Sequence, residues 1–200
     1  MGPGRVKSAI DALTAHEVDL LVSFGTAAAL SPALKAGDLV IPENIILADN
    51  SVLNIANEQR ERLTRDVDTY PFSVHTGDIC ESAAVVGSPG EKHELFNKYG
   101  ALALDMESGA ITMAASSLQL PVLVLRVIVD DASTSIPLEI INSCDEFGVA
   151  SPWALSLAIL KNPLLIGQLI GLGRDFSRAR SGMSWLSRHI DLINPAPGRP

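Results

Sequence analysis

Apolar and polar residues alternate along the first 130 positions in blocks that predict helices and strands in turn. Val6, Ile10 and Leu13 have the spacing of one helix face, and the apolar run at 18–24 is typical of a buried strand. The turn GTAAAL and a proline-marked loop then lead to a second strand at 38–41, closed by Pro42. Further strands are predicted at 73–79, 83–86, 101–104 and 120–129.

Helices are predicted between these strands, around 57–65, at 90–98 and from Glu107 onward, where apolar residues recur with helical spacing. Strands that alternate with helices indicate an α/β domain, and strands that are apolar along their whole length require cover on both faces. The pattern therefore predicts a three-layer α/β/α fold around a central mixed, largely parallel sheet.

The length of 200 residues, with 47% hydrophobic and 19% charged, is that of one globular domain with a sizeable core. We assign residues 1–150 to the α/β core and 151–192 to apolar and basic helices packed on or beside it. Residues 193–200, which include NPAPGRP, are predicted to be a flexible tail.

The net charge of -8 argues against nucleic acid as a partner and favours a small-molecule ligand. Cys80 and Cys144 lack metal-ligand spacing, so we predict free thiols in a reducing cytoplasm and no metal site. The N-terminus does not have the form of a signal peptide, and 161–163 interrupt the apolar stretch 152–172, which we therefore do not expect to span a membrane.

Three predicted strand ends carry unusual residues: GTAAAL after Phe24, DMES at 105–108, and the pair Asp130 and Asp131. Ligands of open α/β sheets bind beyond the carboxyl ends of strands, where the loops diverge. Each end also has a plain structural alternative. Small residues allow a tight turn, an acid such as Glu107 suits the first turn of a helix, and aspartates cap helices or form turns.

The pieces SFGTAAALSPALKAGDLVIP, GALALDMESGAITMAA and PVLVLRVIVDDA, in this order, resemble the superfamily of purine nucleoside phosphorylases and methylthioadenosine/adenosylhomocysteine nucleosidases. The later segments SIPLEII and ILKNPLLIGQLIGLGRDFSRARSGMSWLSR resemble the hopanoid-associated phosphorylase group. This resemblance implies cleavage of the N-glycosidic bond of adenosylhopane, which releases adenine and leaves a ribosylated hopane. The alternatives are a methylthioadenosine/adenosylhomocysteine nucleosidase, or a nucleoside-binding relative with impaired catalysis.

Residue by residue, the resemblance implies that Asp130 donates a proton to the purine, that Glu107 binds the ribose hydroxyls and that Met106 packs on the sugar. It implies no cofactor, and it leaves open whether phosphate is a co-substrate. Five further positions are carried over as substrate contacts: Thr26, Ala27, Ala28, Val85 and Val86.

Arg126 is a single cation inside an apolar strand, and such a charge is costly to bury unless it is paired. We expect it to support the site by pairing with a carboxylate, most simply Glu107. An unrelated acid is the alternative.

The sequence departs from the family pattern at several positions: Val129 stands where the family has Ser, Ala28 and Ala29 where it has glycines, and Asp131 where the hopanoid group often has Pro. The resemblance also places the family's opening strand, with its nucleophile-orienting group, before Met1. We therefore expect the fold to lack that strand, binding to outlast turnover, and the uncovered sheet edge to favour a homo-oligomer.

The C-terminal segment is predicted to offer an apolar face to a triterpenoid or, as a peripheral contact, to a membrane surface, with arginines nearby for anionic lipid. The alternative is a buried helix followed by a solvated basic one. The apolar residues are Leu160, Leu164, Leu165, Ile166, Leu169 and Ile170, and the arginines are Arg174, Arg178, Arg180 and Arg188.

Overall fold

The structure is a computed structural model that describes residues 18–55, 58–65, 70–141, 159–160, 162 and 165–189. Strands and helices alternate along most of the described chain. In chain order the elements are β1 (Leu21–Ala29), β2 (Leu39–Ile46), β3 (Val52–Asn54), α1 (Glu58–Arg65), β4 (Val74–Glu81), α2 (Pro89–Tyr99), β5 (Ala103–Asp105), α3 (Ser108–Ser117), β6 (Val122–Asp130), α4 (Leu138–Ile141) and α5 (Leu165–Arg188).

The six strands form one mixed sheet in the order β3-β2-β4-β5-β1-β6, which confirms the predicted α/β class. The long pairings β1–β6 and β2–β4 are parallel, as is β4–β5, whereas β1–β5, β2–β3 and β2–β6 are antiparallel and short. Because β2 also pairs with β6, the sheet curls until its two sides meet. This curl brings the ends of β1, β5 and β6 to one side of the sheet.

The central position of β6 explains its apolar sequence. Leu123, Leu125 and Val127 pack into a cluster that includes buried residues of α5, while Val124 and Ile128 face a second cluster that includes Ala115 of α3. Residues that alternate between two covered faces must be apolar at nearly every position. The polar exceptions in β6, at 126 and 130, therefore have to be accounted for by specific partners.

Three sequence predictions about strands are wrong. The GTAAA segment, predicted as a turn, continues β1, and the register against β6 shifts between Ala27, which pairs with Ile128, and Ala28, which pairs with Asp130. Strand β2 likewise continues through Pro42 instead of ending there, with an irregularity before Ile45. A proline cannot donate to the ladder, so the pairing is interrupted there without ending the strand. The strand predicted at 83–86 is an irregular loop.

Helix α2 confirms the prediction at 90–98 and is fixed at both ends. The Ser88 hydroxyl accepts a hydrogen bond from the Glu91 amide (3.1 Å), and Gly100 ends the helix at φ 65° with its amide donating to the Phe96 carbonyl (2.8 Å). Ser at the N-cap and Gly in the left-handed conformation are the residues that satisfy helix ends best. These two caps fix where α2 begins and ends.

The longest element in the described C-terminal part is a 24-residue helix, α5, that spans the junction between the predicted apolar and basic helices. Leu165, Ala179 and Leu186 are buried, whereas Leu160, Ile166 and Ile170 are exposed. Across the residues that the structure describes, no helix is both long and apolar enough to cross a membrane. Leu164, Cys144 and the predicted tail at 193–200 lie outside the described residues.

Candidate active site

The curled sheet forms a cavity of about 410 Å³ where β1, β5 and β6 approach one another. Strand β6 contributes Asp130 at its last position, β5 leads into Met106 and Glu107, and β1 contributes its small residues. All eight residues predicted to act on the substrate line this one cavity. They are Thr26, Ala27, Ala28, Val85, Val86, Met106, Glu107 and Asp130.

Asp130 is a deeply buried carboxylate of the cavity, with 3% of the residue exposed. Burial raises the pKa of this carboxyl above its usual value, because a desolvated carboxylate is disfavoured. Lys92 opposes the rise through its charge and its hydrogen bond, while the charges of Asp131 and Asp175 add to it. A carboxyl group that holds its proton more tightly than usual is suited to act as a general acid.

Lys92 is the partner of Asp130, and the sequence reasoning missed it. Its side chain is fully buried, and its ammonium binds Asp130 Oδ2 together with the carbonyl oxygens of Asp131 (2.9 Å) and Thr134 (3.1 Å). The sequence did contain a signal. Lys92 lies three and four residues before Leu95 and Phe96, which pack on the core, so it falls on the buried face of α2.

Arg126 pairs with Asp105 and not with Glu107, which corrects the predicted partner. Its Nε donates to Asp105 Oδ2 (2.6 Å), and its Nη atoms donate to the carbonyl and the hydroxyl of Ser23 at 2.9 and 2.8 Å. Asp105 is the last residue of β5, and both side chains are buried where they meet, so the cation of β6 is paired across the sheet.

Asp105 also holds the segment that is predicted to bind ribose. Its carboxylate accepts hydrogen bonds from the amide and the hydroxyl of Ser108, the first residue of α3. Met106 and Glu107 form the connection between the end of β5 and the start of α3. Glu107 occupies the N-cap position of α3 without a side-chain capping bond. Met106 is 42% exposed and lines the cavity.

Asp131 has a different role from its neighbour. Its Oδ1 accepts a hydrogen bond from the Ala36 amide (2.7 Å), and its Oδ2 lies 3.5 Å from Lys35 Nζ. The two consecutive acids therefore diverge, one toward the cavity and one toward the loop between β1 and β2.

The loop at 82–88 forms the wall that carries Val85 and Val86. The Ile136 amide donates to the carbonyl of Gly87 (2.8 Å), which fixes this loop against the turn that follows β6. A Cβ on Gly87 would lie 2.9 Å from the Ile136 carbonyl oxygen, so the close approach requires glycine.

Cys80 is a buried free thiol, and burial, followed by the charge of Asp105, raises its pKa to about 12. Among the residues that the structure describes, no group of three or more histidine, cysteine, aspartate or glutamate side chains is arranged to hold a metal ion.

Comparison with known proteins identifies the fold and its family. The sequence profile of the phosphorylase superfamily matches residues 1–148. The chain belongs to the phosphorylase superfamily. It is 26% identical over 153 residues to the 5'-methylthioadenosine/S-adenosylhomocysteine nucleosidase of Baumannia cicadellinicola, an alignment that covers 66% of this chain and 67% of the relative.

Solved structures of nucleosidases share the fold. The 5'-methylthioadenosine/S-adenosylhomocysteine nucleosidase of S. pneumoniae, solved with a transition-state inhibitor, superposes with a TM-score of 0.59 at 23% identity and covers 66% of each chain. The native futalosine hydrolase of Helicobacter pylori gives 0.58 at 20% identity, over 66% of this chain and 62% of that one. The chain thus spans about two thirds of the length of these relatives.

Proposed function

We propose that this protein cleaves the N-glycosidic bond of a purine nucleoside, with Asp130 as the general acid. The observation that supports this most strongly is the buried Asp130 carboxyl in a cavity whose other walls are a small-residue strand and the Met106–Glu107 turn. Membership of the phosphorylase superfamily and the names of the nucleosidase relatives support the same reaction class.

The proposed step uses two groups on opposite parts of the substrate. The bond between C1′ and the purine nitrogen breaks with its electron pair moving into the base, and the Asp130 proton moves to the purine, so the base leaves neutral. Glu107 binds the ribose hydroxyls while positive charge develops on the sugar, which an adjacent carboxylate stabilises. The oxygen of water forms a bond to C1′, and the proton that the water loses returns Asp130 to its protonated form, so atoms and charges balance.

For the substrate, we propose an adenosine whose 5′ substituent is large and apolar, and adenosylhopane is the molecule that the sequence resemblance implies. Met183 lines the candidate active site and also a second cavity of about 480 Å³ beside it, where Phe24 and Phe176 are exposed. An apolar space that opens next to a nucleoside site suits an apolar extension of the ligand. Methylthioadenosine and adenosylhomocysteine are the second candidates, which the named relatives support.

The test is the release of adenine from adenosine, methylthioadenosine, adenosylhomocysteine and adenosylhopane, each with and without phosphate. We expect release without phosphate, fastest with adenosylhopane. Release only with phosphate would make the protein a phosphorylase, and preference for methylthioadenosine would favour the second substrate class. Binding of these nucleosides without release from any of them would indicate a binding protein.

We further propose a cytoplasmic protein that contacts membranes peripherally and forms a homo-oligomer. The exposed side chains of Leu160, Ile166 and Ile170 support an apolar contact beside the arginines of α5. Co-sedimentation with liposomes that increases with anionic lipid content would support the membrane contact, and sedimentation velocity would give the oligomeric state.

A further inference from the structure

The surroundings of Lys92 disfavour a positive charge unless the ammonium is paired and hydrogen-bonded. It is 0% exposed, and it lies in the first turns of α2, where the helix dipole disfavours positive charge. Its ammonium is nevertheless fully satisfied. Its three N–H donors meet three acceptors: Asp130 Oδ2 and the carbonyl oxygens of Asp131 and Thr134.

The three acceptors belong to one short segment of chain, the end of β6 and the turn after it. The Thr134 amide donates to the Asp131 carbonyl (3.0 Å), and the Ile136 amide donates to Gly87, just before α2. The ammonium thus joins α2, the acid and the turn at 131–134. Within the described chain, Asp130 Oδ2 has Lys92 as its hydrogen-bond partner, whereas Oδ1 accepts no hydrogen bond and the side chain lines the cavity.

We propose that Lys92 is the positioning residue of the proposed general acid: it fixes Asp130 through Oδ2, so that Oδ1 faces the leaving base, and stabilises the carboxylate that remains after proton transfer. This inference rests on the proposed function. When the Asp130 proton has moved to the purine, the carboxylate and the ammonium form a buried ion pair, so the charge left behind is neutralised where it arises.

Other charged groups around Asp130 do not supply this stabilisation. Asp131 on the turn and Asp175 on α5 carry negative charge, which disfavours the carboxylate, and Glu107 lines the same cavity with the same sign. Lys92 is the one cation among the groups that act on the Asp130 titration within the part of the chain that the structure describes.

The experiment compares Lys92→Met, which keeps an unbranched apolar side chain but removes the ammonium, with Lys98→Met, which removes an exposed lysine from the same helix. The first readout is the carboxyl ¹³C titration of Asp130 in aspartate-labelled protein, with its signal assigned by its loss in Asp130→Asn. We expect Lys92→Met to raise the pKa of Asp130 and Lys98→Met to leave it unchanged. An Asp130 titration that is the same with and without Lys92 would overturn the inference.

The second readout is purine release. We expect Lys92→Met to lower kcat by about 10- to 100-fold, the range for losing a hydrogen bond to a charged group. It should also shift the alkaline limb of the pH profile upward, with less effect on KM. In the Asp130→Asn background Lys92→Met should add no further loss, because its effect acts through the acid. Equal losses in both backgrounds would assign Lys92 a merely structural role.

Failure of this inference can be told apart from failure of the proposed function. If the wild-type protein releases no purine, the reaction is wrong, yet the carboxyl titration still decides whether Lys92 governs Asp130. If Lys92→Met does not fold, Lys92→Gln takes its place, because its amide retains donors for the two carbonyl oxygens while lacking the charge. A folded Lys92→Gln with an unchanged Asp130 titration would equally contradict the proposal.

Discussion

Arg126 and Asp105 form a buried ion pair across two neighbouring parts of the sheet, with Nε and Oδ2 2.6 Å apart and 2% and 5% of the residues exposed. Ser23 and Ser108 complete the hydrogen bonding around the pair. The pair ties β6 to the residue that precedes Met106 and Glu107. Arg126 thus stabilises a wall of the cavity, although its own side chain does not line the cavity.

Removing Arg126 should destabilise the fold strongly. We expect Arg126→Met to lower the free energy of unfolding by about 3–5 kcal/mol, because it leaves the Asp105 carboxylate buried without its cation. Denaturant unfolding measures the change. The matched control is Arg178→Met, which removes an exposed arginine 3.0 Å from Asp175 and should cost about 0–1 kcal/mol. Similar costs at the two positions would contradict the role of the buried pair.

The raised pKa of Asp130 predicts a specific pH dependence of stability. Because the folded carboxyl binds its proton up to a higher pH than the unfolded one, its stabilising contribution is fully present below the usual pKa of 3.8 and is lost as the pH rises through the folded value. Wild type should therefore lose stability relative to Asp130→Asn as the pH rises from about 4 toward neutrality. Unfolding free energies of both proteins across this range provide the measurement. A difference that does not vary with pH would show that the carboxyl is not perturbed by burial.

A larger residue at Gly109 in α3 should destabilise the protein. A Cβ there would lie 2.3 Å from Leu47 Cδ2 and 2.4 Å from Glu81 Oε2, so Gly109→Ala should cost about 1–3 kcal/mol through overpacking. Gly173→Ala is the control, since nothing lies within 4 Å of a Cβ at that position in α5, and it should stabilise the protein by up to about 1 kcal/mol. Thermal unfolding of both variants distinguishes the two effects. A neutral Gly109→Ala would contradict the packing of α3 against β4.

The second cavity should affect one substrate class and not the other. Phe176 is 60% exposed and lines that cavity, so Phe176→Ser should leave folding intact while lowering kcat/KM for adenosylhopane. Loss of a partly buried aromatic contact predicts roughly a 10-fold decrease, with little change for methylthioadenosine. Steady-state kinetics with both nucleosides provide the test. Parallel changes for the two substrates would refute the apolar extension.

The sequence predicted the elements whose signals are local. Helix α2 has a serine cap and a terminal glycine, and β6 is apolar at all positions but 126 and 130 because both of its faces are covered. The strand ends and the candidate residues beyond them could be anticipated from the same pattern together with the family resemblance. Strand β1 could not be delimited, because the parallel pairing with β6 that extends it from Gly25 to Ala28 depends on residues far away in the sequence, at 126–130.

The partners of buried charges were the part that the sequence did not predict. Arg126 could be recognised as needing a carboxylate, but the choice of Asp105 over Glu107 follows from which side chain faces the sheet interior. Lys92 appears as an ordinary helical lysine until the packing of Leu95 and Phe96 shows that its face is buried. Pairings of this kind depend on tertiary geometry, which residue spacing alone does not contain.

Adenine release from wild type and Asp130→Asn measures whether this cavity cleaves a purine nucleoside with Asp130 as the acid. We predict release by wild type and a loss of roughly 10²- to 10⁴-fold in Asp130→Asn, the range for removing a general acid. Asp131→Asn, whose side-chain oxygen can still accept from the Ala36 amide, should change the rate little. Absence of release from any purine nucleoside, or equal rates for wild type and Asp130→Asn, would contradict the account.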